Sequence, residues 1–117
     1  MLLRVSGQLS SEDFDLRTVT ETNVGDGGVP HGQVLTSFAE AVLGEDDELL
    51  QRKRDEVVKN LGGEAMVDAA AVIAIFNAND RVANATGIPL DDIMAVATVD
   101  MRTELGIDGY ASAKNDP

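Results

Sequence analysis

The sequence predicts an all-α fold: a small antiparallel bundle of about four helices with an irregular N-terminal arm. Three observations lead there. From Gln33 onward, apolar residues recur at helical spacing instead of alternating. Glycines stand where each periodic stretch stops, at Gly44, Gly62, Gly87 and Gly106. The chain has no Trp, one Tyr and three Phe, so its core must be built from Ala, Val, Leu, Ile and Met, which suits closely packed helices.

Residues 1–32 differ from the rest. Leu2, Leu3, Val5, Phe14, Leu16 and Val19 are short apolar pieces among Ser, Thr and Asp. Leu16 to Val24 lacks a helical stripe and is rich in β-branched residues, so a short strand or an extended arm is expected. Gly25-Asp26-Gly27-Gly28-Val29-Pro30-His31-Gly32 follows, a loop by composition and the expected hinge of the arm. The division is therefore an N-terminal arm and Gly-rich linker over 1–32 and a helical domain over 33–117.

The first helix is expected over about residues 33–43, with Leu35, Phe38, Ala39 and Val42 on one face. The second runs from Asp47 to Leu61, capped by Asp46 or Asp47 and closed by Gly62. Its apolar stripe is narrow (Leu50, Val57, Val58, Leu61), and Glu48 with Arg52 and Asp55 with Lys59 stand at i,i+4 on a solvated face. It reads as an outer helix.

The third helix is expected from Glu64 to Thr86, stopped by Gly87. It would be roughly 35 Å long. Ala69 to Phe76 is apolar all round, the pattern of a helix buried at the centre of a bundle. The fourth begins at Pro89, which suits a first helical turn, and carries Leu90, Ile93, Met94, Ala97, Met101 and Leu105 on one face until Gly106. It is expected to return antiparallel to the third. The tail from Ser112 to Pro117 is polar and expected to fray.

Composition excludes several kinds of chemistry. There is no cysteine among 117 residues, which removes disulfides, thiolate metal sites and a thiol nucleophile. Nine Lys and Arg against 21 Asp and Glu give a net charge of −12. A chain so acidic repels phosphate, so neither nucleic acid nor an anionic membrane is an expected partner. The longest apolar run, Ala69 to Phe76, falls far short of the roughly 20 residues that cross a bilayer. Without a signal peptide pattern at Met1 to Ser6, a cytoplasmic location is the expectation.

One stretch carries a family resemblance. Phe76-Asn77-Ala78-Asn79-Asp80-Arg81-Val82-Ala83-Asn84-Ala85-Thr86-Gly87-Ile88-Pro89 is similar to a segment of the alkylhydroperoxidase D-like proteins, the carboxymuconolactone decarboxylase superfamily. Leu35 to Leu43 resembles a helix of the same family, and Gly62 to Ala69 its short turn and next helix start. The resemblance spans roughly residues 33–105. It implies an all-α fold and frequent self-association. The family's redox members carry Cys-x-x-Cys and a nearby His on a preceding helix, and that helix has no counterpart here. No catalytic position is carried over, and peroxidase activity is not implied.

The candidate functional residues are few. Asn77, Asp80, Arg81 and Asn84 recur at i, i+3, i+4 and i+7, the one polar stripe on the third helix. A hydrogen-bonded seam that sets helix register is the simpler reading; the polar lining of a pocket is the other. Arg81 on so apolar a helix needs a partner, and Asp100 on a returning fourth helix is the expected one. His31 is the sole histidine and a weak candidate for a general base, since it has only Asp26 as a carboxylate neighbour in the loop. The loop lacks the order of a dinucleotide or Walker motif. Glu45-Asp46-Asp47-Glu48 has the character of a helix start rather than a calcium loop. No cofactor or metal is expected.

Two functions remain in view. One is a non-enzymatic, self-associating or accessory binding protein, with a homo-oligomer expected because one chain has few partners to cover the third helix. The other is a cofactor-independent enzyme of the decarboxylase type, acting on a lactone or keto acid through His31 and acidic residues. No small-molecule ligand is specified by either.

Overall fold

The structure, a computed structural model, describes residues 13–21 and 25–110. Those residues form helices and no strand. The expectations for Leu2, Leu3, Val5 and the polar tail fall outside the described residues, as does the stretch 22–24 of the expected strand.

The first described element corrects the expectation of a strand: Leu16–Val19 is a 3₁₀ turn. The cause is local. Asp15 caps the turn, its carboxylate accepting from the Arg17 backbone N–H at 3.0 Å. The Arg17 side chain returns a fork of two bonds to the same carboxylate, at 2.9 and 2.6 Å. These bonds hold the guanidinium pKa above its ordinary value.

The glycine-rich loop is tied at several points. Asp15 N–H donates to Gly27 O at 3.0 Å, Val29 N–H to Asp26 O at 3.0 Å and Gly32 N–H to Val29 O at 2.9 Å. A Cβ at Gly32 would collide with the Asp26 carbonyl, so the close approach requires glycine. The Asp26 carboxylate accepts from Gln33 N–H at 2.9 Å and so caps the following helix, α1 (Gly32–Leu43).

Helix α2 covers Asp47–Leu61. Asp46 caps it, accepting from Leu49 N–H at 2.8 Å, and Asp47 and Glu48 lie in the first turn, where the helix dipole favours acids. This is the role expected of the acidic run. On its flank Lys53 pairs with Glu56 at 2.8 Å and Arg52 with Glu48 at 3.9 Å, while Asp55 accepts from Gln51 at 3.0 Å. Gly62 then turns the chain in one residue, at φ 93° and ψ 167°, a region open only to glycine. Helix α3 (Gly63–Thr86) follows at once. It ends at Gly87, whose φ of 64° is left-handed and whose N–H donates to Ala83 O.

Helices α1, α2 and α3 pack on one another in sequence order, joined by short corners. Their shared core centres on Phe38, Ala41 and Val57. The expected roles of two helices are reversed. Helix α2, read as an outer helix, lies against both neighbours, and its Val57 is 0 % exposed. Helix α3, read as central, has no buried residue. An all-round apolar sequence requires cover on every side, and α1 and α2 supply it on one side only.

The fourth helix is also different. It is bent at Thr98 into α4 (Asp92–Ala97) and α5 (Val99–Glu104), and it does not lie along α3. Hydrogen bonding passes through the bend, with Thr98 N–H to Met94 O at 3.0 Å and Arg102 N–H to Thr98 O at 2.8 Å. Three β-branched residues within four positions (Val96, Thr98, Val99) weaken helix propensity at that point. The Thr98 hydroxyl donates to Met94 O at 2.6 Å, a back-bond that commonly bends a helix. Asp91 caps α4 through Ile93 N–H and Met94 N–H. A 3₁₀ turn over Ile107–Gly109 closes the described chain.

Candidate functional site

The apolar surface of α3 divides into two regions, and the division follows from helical geometry. Met66, Ala69, Ala70, Ile73 and Asn77 are partly covered and recur on the side that meets α1 and α2. Val67, Ala71, Ala74, Ile75, Ala78 and Val82 recur on the other side, at about 100° per residue, and all are exposed. Val67 and Ile75 are each 60 % exposed and Val82 is 58 % exposed. This outer face carries no charge between Asp68 and Asp80.

Between the C-terminal part of α1 and α3 lies an open groove of about 270 Å³. Ala39 and Leu43 form one wall; Val72, Ile73, Phe76, Asn77 and Asp80 form the other. Phe76 is 63 % exposed at its edge. The polar groups of the lining are one carboxamide and one carboxylate, from Asn77 and Asp80. Such a set can orient a ligand by hydrogen bonds and repel an anion.

The polar stripe is thereby placed. Asn77 and Asp80 border the groove. Arg81 lies one turn on, exposed, with its Nε donating to Asn77 Oδ1 at 3.1 Å. Asn84 is exposed further along the same helix. Arg81 is not paired with Asp100: its bond is to Asn77 in its own helix. The buried clamp expected of it is not formed, because α5, which carries Asp100, does not return beside α3. His31 is exposed at the N-terminal end of α1, in a left-handed conformation with φ 58°. The α1 residues of the groove, Ala39 and Leu43, lie about 12 and 18 Å further along the helix axis. His31, which the enzyme reading would combine with acidic residues, thus stands apart from the groove that Asp80 borders.

A different arginine, Arg102, ties the C-terminal segment together. Its Nη1 donates to Ala95 O and to Thr98 Oγ1, each at 3.0 Å, and its Nε donates to Asp108 Oδ1 at 2.9 Å. One side chain thus joins α4, the bend, α5 and the closing turn, and it is only 19 % exposed. Thr98 beneath it is 5 % exposed. Arg102 lies four residues after Thr98 in the sequence, a hint of one helical turn, but nothing in the pattern announces the bend that brings Ala95 O within reach.

Among the described residues no group of three or more His, Asp or Glu side chains could hold a metal ion. Among the same residues no helix is long and apolar enough to cross a membrane. Comparison with family models, with curated proteins and with solved structures finds no match to this chain.

Proposed function

We propose that this chain is a self-associating helical binding module, of the alkylhydroperoxidase D-like kind but without that family's thiol chemistry, and that its partner on α3 is a second copy of itself. The observation that carries the reading is the outer face of α3: Val67, Ile75 and Val82 are more than half exposed along one helix. Leaving such side chains in water forgoes about 1.5–3 kcal/mol for each that could be buried. A contiguous patch of this kind marks an interaction surface in a soluble chain. A second copy suits it because a chain of net charge −12 can approach another only through a neutral surface, and the outer face is neutral over its middle.

What weighs for binding over the decarboxylase reading is position. His31 stands at the N-terminal end of α1, about 12 Å along the helix axis before Ala39, the first α1 residue of the groove that Asp80 borders, and no hydrogen bond joins its ring to a carboxylate among the described residues. The test is light scattering at micromolar concentration. A mass of twice 12.4 kDa or a higher multiple is expected. A single-chain mass up to about 100 μM, where even weak specific pairs of roughly −6 kcal/mol form, would reject the reading.

A further inference from the structure

Six exposed positions of α3 form a line: Glu64, Val67, Ala71, Ala74, Ala78 and Arg81. Their spacings are three, four, three, four and three residues, the alternation that keeps a seam on one side of a helix. The line runs beside the stripe that meets α1 and α2 and stays outside it. Its spacing is the same read in either direction, and its ends carry opposite charges. We propose that two copies pair through this line with their α3 helices antiparallel, about a two-fold axis level with the midpoint of Val72 and Ile73, so that Glu64 of each copy meets Arg81 of the other. The proposal rests on the self-association reading above and adds the surface, direction and register.

The symmetry argument is specific. Reversal about that midpoint sets Glu64 opposite Arg81, Val67 opposite Ala78, and Ala71 opposite Ala74. Each layer joins residues of compatible size or opposite charge, and the small ones permit close approach of the backbones. A parallel pair would set Arg81 against Arg81 and Glu64 against Glu64, and each α3 dipole beside its like end. Ile75 and Val82 flank the seam and extend the apolar cover, while Asp68 stands at its margin. The seam is roughly 26 Å long and neutral between its two charged ends. Arg81 keeps its bond to Asn77 through Nε, which leaves its terminal nitrogens for Glu64 of the partner copy.

The test uses charge exchange on the full chain, with the mass and dissociation constant read by sedimentation equilibrium and the fold by circular dichroism. Glu64→Arg alone and Arg81→Glu alone each place like charges together at both ends of the seam, and each should weaken pairing about tenfold or more. The double variant restores opposite charges and should recover most of the parent affinity. A double variant as weak as the singles, or singles as tight as the parent, overturns the register while the parent dimer leaves self-association standing. A monomeric parent overturns both. Should a charge variant not fold, cysteine decides instead, because the chain has none of its own. An equimolar mixture of Val67→Cys and Ala78→Cys chains, oxidised mildly, should give crosslinks between unlike chains, since in this register those positions face each other. Crosslinks between like chains alone, or none from a dimer, would reject the pairing.

Discussion

Arg81 and Arg102 sit in similar sequence settings, each on a helix beside apolar neighbours, yet their structural roles differ. Arg102 makes three hydrogen bonds that span α4 to the closing turn and is mostly covered. Arg81 makes one exposed bond inside its own helix. In the dissociated chain, Arg102→Ala should cost about 1–3 kcal/mol through loss of partners for Thr98 and Ala95, whereas Arg81→Ala should cost no more than about 0.5 kcal/mol. Hydrogen exchange of the α4 and α5 amides checks the first, because a local loss there precedes global unfolding. A thermal melt at low concentration checks the second. Equal exchange in the Arg102 variant and the parent would show that the C-terminal bend is held by something else. Phe38, with 2 % exposure, is the contrasting core residue: Phe38→Ala should cost about 3–5 kcal/mol, seen as a lower urea midpoint.

At the scale of elements, the corner at Gly62 decides how α2 and α3 lie. A single residue separates the helices, and its φ and ψ belong to glycine alone. The space around a Cβ there is open, so Gly62→Ala would meet no clash and its cost would be conformational. The expected loss is about 1–3 kcal/mol, measured by urea titration. A variant with parent stability would show that the corner relaxes into an ordinary conformation. The approximate bounds of α2 were legible, because Asp46 and Gly62 act within one turn of the ends they define, although the sequence left the cap open between Asp46 and Asp47. The break at Thr98 was not legible. Its periodicity fits one helix from Leu90 to Leu105, and the bend depends on Arg102 reaching back to Ala95 O at 3.0 Å. The expected strand at Leu16 failed for a related reason: β-branched content is a weak preference, and Asp15 capping a turn overrode it.

For the whole molecule, charge and apolar surface oppose each other. Two copies at −12 each repel over the range set by salt, with a Debye length of about 30 Å at 0.01 M and about 8 Å at 0.15 M. Raising salt across that range should therefore tighten the proposed dimer, read as a falling dissociation constant in sedimentation. A rising constant would mean that the two Glu64 and Arg81 pairs outweigh the net repulsion, contrary to their exposed setting. The sequence by itself determined the helical class, the ends of α2 and α3 and the absence of thiol chemistry. Each follows from composition or from groups a few residues apart. It also showed that the stretch Ala69 to Phe76 of α3 is apolar all round, a pattern that favours cover. Only the tertiary structure decided which sides are left uncovered, that α2 holds the buried Val57, that Asn77 and Asp80 share a groove without His31, and that Arg102 ties the C-terminal segment together. Those outcomes depend on which helices lie beside α3, and a periodic pattern records a helix's preference for cover without recording its neighbour.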